Sequence, residues 1–394
     1  MKIAISGAGI AGSTLAYWLR RYGHEPVLIE RAPRLRSGGY IIDFWGHGYD
    51  VATMMGIVPR LQECGYCVKE VRFVGRDGRR RGGFTTDAIR RVLGKRFVSL
   101  RRSDLAATIY TAIDGKVETI FGDSIATIDE DASGIRVGFD RGPDRNFDVM
   151  VGADGLHSHV RELRFGQEEQ FELYLGYKAA AFEISGYRPR DELIYISYAE
   201  PGRQVSRFSM RNDTTLFLFI YRDHESGEVP ITDAGRKAAL HDAFRNAGWE
   251  CRQILEAMDA AEEIYFDRVS QIRMRNWIKG RTALLGDAAA CVSLLAGEGS
   301  GLAMTEAYVL AGELARASNN PVAGLARYQL AMMPFLENKQ KTAARFASYF
   351  VPKTGFGIAF RNGLTSLIDL PPMANLLLGR QMRDDFRLPH YAFE

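Results

Sequence analysis

Lys2-Ile3-Ala4-Ile5-Ser6-Gly7-Ala8-Gly9-Ile10-Ala11-Gly12 is the stretch on which the fold turns, and Pro26-Val27-Leu28-Ile29-Glu30 completes it. Lys2 to Ser6 has the length and apolar content of a short buried strand, and the glycines form the turn. Ser13 to Tyr22 reads as a helix whose apolar face carries Leu15, Ala16 and Leu19. The second strand ends at Glu30. The resulting βαβ spacing sets an acid about twenty residues after the glycine turn, where a carboxylate can accept both ribose hydroxyls while the helix N-terminus faces pyrophosphate. Gly7, Gly9, Ala11, Gly12 and Glu30 are therefore candidate dinucleotide contacts. Glu30 would repel a 2′-phosphate, which argues against NADP as the resident nucleotide.

A single GxGxxG is a weak signal, and two further signatures give it meaning. Gly152-Ala153-Asp154-Gly155 lies mid-chain with Arg161, and Gly286-Asp287 precedes Gly297-Glu298-Gly299. Three backbone-and-carboxylate sites in this order suit an extended dinucleotide touched at its adenosine end, its pyrophosphate and its ribityl-flavin end. No second GxGxxG exists, so NADH or NADPH is expected only as a transient reductant in a groove shared with the substrate entrance.

The 394 residues exceed a usual single core and imply two intimately packed domains or one two-lobed unit. Lys+Arg 51 against Asp+Glu 48 leaves a net charge of +3, too small and dispersed for a nucleic-acid partner. The densest basic cluster, Arg76-Asp77-Gly78-Arg79-Arg80-Arg81, reads as a solvated turn between strands. No secretory signal and no membrane-length apolar run are evident. Cys64, Cys67, Cys251 and Cys291 form no disulfide framework, which points to a cytoplasmic protein. Cys64-Gly65-Tyr66-Cys67 falls on a connection after a helical run (Val51 to Gln62), so a structural role is expected rather than a redox or metal one. No metal spacing appears among the histidines.

Downstream, Ser103 is a plausible helix N-cap. Short β runs are expected at Val117 to Phe121, Ile135 to Phe139 and Phe147 to Val151, with a second, largely antiparallel sheet from Ala179 to Tyr221. Residues 232 to 258 and the chain from Leu302 onward read as helical. The expected class is α/β: a Rossmann-like parallel-sheet domain over 1–170 and 265–330, an inserted β-sheet substrate domain over 171–264 with part of 68–100, and a helical C-terminal region over 331–394.

These signatures together resemble the class A single-component FAD monooxygenases, the para-hydroxybenzoate hydroxylase family with its tetracycline- and salicylate-directed branches, and the resemblance spans nearly the whole chain. Gly7, Gly9 and Gly12 match that family's fingerprint, Glu30-Arg31 its strand-end acid and following base, and Arg102-Ser103-Asp104-Leu105 a segment whose arginine reaches the flavin chain. Asp148 to Arg161 match its DG motif and Gly280 to Asp287 its GD motif. The resemblance implies FAD as cofactor, with Asp287 on a ribityl hydroxyl and Gly297, Gly299 and Ser300 near the pyrimidine edge. Asp154 takes a supporting role, Arg161 that of an internal ion-pair partner, and Asp43, Ile125 and Gly286 complete the set. It implies NAD(P)H- and O2-dependent hydroxylation of a small aromatic or polyketide-like molecule through a flavin C4a-hydroperoxide, by a monomer or homodimer. No catalytic side chain and no metal is expected, since the flavin carries the chemistry and the protein supplies orientation and dryness.

Three departures stand out: Ala290, Leu294 and Gly301 replace the His, Pro and Asn common in the family. They put the substrate position in doubt more than the flavin. The expected substrate wall is the second sheet, with Tyr195, Arg207, Phe208, Met210, Phe217 and Phe219, together with Leu294 and Leu295. Tyr198 and Arg211 are further polar candidates. An arginine facing the pocket favours an aromatic acid or phenolate, and none doing so favours a larger neutral polycycle. Two other functions share this fold: a halogenase or double-bond reductase, although no WxWxIP segment is present, and a degenerate ligand-binding flavoprotein.

Overall fold

The computed structural model describes residues 1–35, 39–94, 96–223, 227–317, 320–377 and 384–392. A six-stranded sheet forms its dinucleotide-binding half. In spatial order it runs Ile278–Lys279, Thr282–Leu284, Val149–Gly152, Lys2–Ser6, Glu25–Glu30 and Glu118–Phe121, parallel except for the first pair. Parallel strands need both faces covered. The helices Ile10–Arg21 and Gly299–Ala317 pack together over this sheet, and Leu15, Leu19, Met304, Tyr308 and Leu310 are buried in its core. A three-stranded sheet, Arg145–Phe147, Ile135–Phe139 and Ile125–Glu130, is appended to this half; its last strand has no clear mark in the sequence.

The second sheet has seven strands in the order Tyr265–Ile272, Glu172–Ser185, Thr214–Arg222, Arg203–Ser209, Ile194–Glu200, Glu70–Val74 and Arg80–Thr85. All its pairs are antiparallel except Ile194–Glu200 with Glu70–Val74. The strand Tyr265–Ile272, which the expected boundary at 264/265 would assign to the dinucleotide-binding half, closes one edge of this sheet. Arg76 to Arg79 form the hairpin turn at the other edge, where Gly75 N–H donates to Arg79 O at 2.9 Å, and Arg80 and Arg81 open the edge strand.

Three local expectations are corrected. The run from Val51 to Gln62 is two helices, Gly46–Met54 and Val58–Cys64, because Gly56 takes φ +74° between them and Pro59 starts the second. Ser103 is not an N-cap. Strand Phe97–Arg101 passes directly into helix Arg102–Ile113, so Arg101 occupies the cap position without a side-chain bond. The helix expected from Leu302 begins three residues earlier, at Gly299.

Candidate functional site

Backbone contact, which only glycine allows, draws the three signatures together. A Cβ on Gly7 would lie 2.6 Å from Ala153 O and 3.0 Å from the Asp154 Cα, so the glycine turn rests on the DG loop. Ser6 Oγ donates to Asp154 at 3.4 Å, and Asp154 also accepts from Ser158 Oγ (2.5 Å) and the Val160 amide (3.1 Å). Burial still holds its carboxyl above the usual range. On the other side, a Cβ on Gly286 would meet the Ala11 methyl at 3.3 Å, and one on Gly299 the Asp287 Oδ1 at 3.7 Å. Gly297 is left-handed (φ +67°) with open space before it.

The first turn of helix Ile10–Arg21 has no side-chain cap and no acid. Such a terminus presents free amides and a partial positive charge to an anion. Glu30, half-buried, accepts from the Ala8 amide at 3.0 Å and the Ala32 amide at 2.9 Å, which ties the acid to the glycine turn. Arg31 is exposed beside it. Ile125 puts its side chain into the core, and Arg161 is buried and ion-paired with Glu168 at 2.6 Å.

Asp43, Tyr40, Tyr195, Tyr265 and Asp287 neighbour one another where the two sheets meet, and the partly accessible space they border is the hollow. Burial pushes the carboxyls of Asp43 and Asp287 up and the phenol of Tyr40 up to about 12, and it raises Tyr195 and Tyr265 as well. Yet Asp43 is exposed by accessible surface, and Tyr40, Tyr195, Tyr265 and Asp287 are only half-buried. Asp43 accepts from Ser99 at 2.5 Å. Arg102 acts on Asp287, Tyr40 and Tyr265 electrostatically and makes no ion pair among the described residues.

The second sheet sorts the expected substrate residues by strand alternation. Tyr195, Phe208 and Met210 face the hollow side, in a cluster with Tyr40, Ile41, Leu218 and Tyr265. Leu218 joins that cluster to Leu294 and Leu295. Phe217 and Phe219 lie on the opposite face, packed under helices Asp233–Phe244 and Cys251–Met258. Arg207 points the same way, 3% exposed, bound to Asp191 (2.7 Å) and Glu250 (2.9 Å). Tyr198 is there too, its hydroxyl on Glu200 at 2.6 Å. Arg211 clasps the CxxC connection through Cys64 O at 2.9 Å and Gly65 O. Tyr40 and Tyr265 carried no local signal. Ala290 is buried, and Ser293 beside Leu294 holds φ +128°, a strained value for a non-glycine residue in a wall of the hollow.

No group of His, Cys, Asp and Glu among the described residues is arranged for a metal, and no described helix is long and apolar enough to cross a membrane. The uncapped helix terminus, Arg102 and the accessible carboxyls of Asp43 and Asp287 fit an elongated dinucleotide carrying a polyol.

A fold and site of this kind define a flavoprotein monooxygenase. The chain belongs to the FAD binding domain family, matched over residues 1–338, and its enzyme class is that of the FAD-dependent monooxygenases. It is 37% identical to an uncharacterised protein of Mycobacterium tuberculosis over 86% of this chain and 91% of that one. It is 32% identical to a flavin-dependent monooxygenase of an unknown prokaryotic organism over 90% of each. The tetracycline destructase Tet(51) superposes with TM-score 0.83 at 30% identity, covering 99% of both chains. At 22% identity HpxO of Klebsiella pneumoniae, solved with FAD and uric acid, shares the fold (TM-score 0.77, 96% and 97% covered).

Proposed function

We propose that the protein uses NADH or NADPH and O2 to hydroxylate a small, largely neutral aromatic or polycyclic molecule of polyketide type, held against the antiparallel sheet. The supporting observation is the character of the hollow. Its sheet side offers Phe208, Met210 and Leu218 with the phenols of Tyr195 and Tyr265; Arg207 points to the other face, and Arg211 is engaged by the carbonyls of Cys64 and Gly65 and stacked on Tyr66. Arg101, beside Met210, is neutralised by Glu183 at 2.9 Å. A free cation would favour an aromatic acid; apolar surface with neutral hydroxyls favours a polyoxygenated polycycle. The likeness to a tetracycline destructase supports the same reading.

Bound FAD supplies the electron transfer and oxygen activation. In this reading the amides after Gly9 and around Ala11 receive its pyrophosphate, Glu30 its adenosine ribose and Asp287 a ribityl hydroxyl, with Arg102 balancing the charge. Gly286, Gly297, Gly299 and Ser300 let backbone approach the ring system. Leu294 and Leu295 keep water from the reacting face, the requirement that matters most where premature protonation wastes activated oxygen. The six-stranded sheet with its covering helices carries the cofactor, the seven-stranded sheet the substrate, and the helices Pro321–Phe350, Gly355–Ser366 and Pro371–Leu377 the cover. The four free thiols suit the cytoplasm.

The test is steady-state NADH and NADPH oxidation with and without polycyclic candidates, tetracycline among them, under 18O2. Substrate-stimulated oxidation with one labelled oxygen in the product is expected. Oxidation indifferent to every candidate, with peroxide as the sole oxygen product, would overturn the reading.

A further inference from the structure

Next to the Gly286-Asp287 turn stands a carboxyl with no part in the scheme above. Glu306, on helix Gly299–Ala317, is 1% exposed. Its Oε2 accepts from the Gly286 amide at 3.1 Å and from the Tyr328 hydroxyl at 3.0 Å. Tyr328 is fully buried on helix Pro321–Phe350, and its hydroxyl also lies 3.3 Å from Leu284 O, at the end of the strand that leads into the turn. Glu306 has no cation partner among the described residues. Gly286 itself takes φ +64°, ψ −138°, a conformation in which its N–H points out of the sheet ladder and needs another acceptor.

We propose that Glu306 is a positioning residue for the flavin: through the Gly286 amide, and braced by Tyr328, it fixes the turn that aims Asp287 into the hollow. It makes no contact with the reacting atoms; it acts on the cofactor through the position of the Asp287 turn and through its own charge. The acceptor role needs an oxygen and not a charge. A second negative charge beside Asp287 would be buried without a counter-ion, and the pyrophosphate brought by FAD adds to the repulsion. The groups that set this balance are Asp287 and Gly286 on the turn, Tyr328 on the helix Pro321–Phe350, and Arg102, Cys291 and Tyr40, which face Asp287. Burial, with Asp287 adding to it, lifts the Glu306 carboxyl to about 8, so the neutral form prevails at neutral pH. By linkage, FAD should bind less tightly as pH rises through that value.

The experiment measures FAD dissociation from the full-length protein by flavin fluorescence at about pH 6.5 and about pH 9.5, for the wild type, E306Q, E306L and Y328F. The wild-type dissociation constant should rise about tenfold across this interval, while E306Q, neutral at every pH and still an acceptor, stays within about twofold. E306L should lose FAD at least about tenfold at neutral pH, with Y328F between. A residue that merely fills space would change thermal stability in E306Q and E306L without flattening the pH profile. The proposal is overturned if E306Q follows the wild-type profile, or if folded E306L holds FAD as the wild type does. If E306L fails to fold, the comparison of wild type with E306Q decides.

Discussion

Gly48 and Gly301 meet backbone to backbone: a Cβ on Gly48 would stand 2.4 Å from the Gly301 Cα and 2.9 Å from its carbonyl oxygen. Helices Gly46–Met54 and Gly299–Ala317 pack against each other at this point. The contact is one-sided, because a Cβ on Gly301 would find nothing nearer than Trp45 O at 3.5 Å. Gly48→Ala should therefore cost about 2 kcal/mol by forcing the helices apart. Gly301→Ala should be neutral or gain up to about 1 kcal/mol from helix propensity. Urea unfolding of both variants checks the pair; equal destabilisation would refute the asymmetry.

Asp287→Ala should weaken FAD binding by about 1 to 3 kcal/mol, since it removes the half-buried acceptor proposed for the ribityl chain. Protein that keeps its full yellow colour through prolonged dialysis would count against that role.

Arg102→Leu should weaken FAD by a similar margin of about 2 kcal/mol, because its guanidinium has no ion-pair partner among the described residues to lose. The loss should shrink as salt is raised, in contrast to that of Asp287→Ala. Titration with FAD at low and high ionic strength separates the two.

His157 bridges the DG loop to the second sheet, with Nδ1 2.9 Å from Glu168 and Nε2 3.2 Å from Asp267. Its hydrogen bonds to Asp267 and Glu168 raise it to about 10. The contribution of the imidazolium to stability is complete below about pH 6.5 and is lost as pH climbs through about 10. Wild type should thus exceed His157→Gln in unfolding free energy near neutrality, and the gap should close in alkali. A gap constant from pH 6 to pH 10 would remove His157 as the cause.

Arg207→Ala leaves Glu250 without its cation and Asp191 with Arg72 alone, and should cost about 3 kcal/mol of stability. FAD affinity should stay unchanged. A variant that is stable yet altered in its substrate response would return Arg207 to the pocket.

Strand and helix periods, readable from neighbours in the chain, showed that Lys2 to Glu30 is a βαβ unit, and Gly7, Gly9 and Gly12 mark a turn that few other residues could make. Strand alternation by itself separates Phe208 and Met210 from Arg207. It could not say which face meets the hollow, because that depends on where helices Asp233–Phe244 and Cys251–Met258 settle. Phe217, Phe219 and Arg207 ended beneath those helices for that reason. Ser103 looked like a cap because the residue type suits one, but the preceding strand ran without a loop into the helix.

The sequence by itself determined the dinucleotide-binding fold, the family and the three signatures, since each is written in residues a few positions apart whose geometry is local. Only the tertiary structure decided what surrounds them. Tyr40 and Tyr265 meet across 225 positions, with ring centroids 5.8 Å apart, and Glu306 reaches Gly286 from a helix where its neighbours suggest nothing special. The physical reason is that burial and electrostatic environment belong to the packed chain: a carboxyl, a phenol or a guanidinium acquires its role from what excludes water around it, and residue order does not encode that locally.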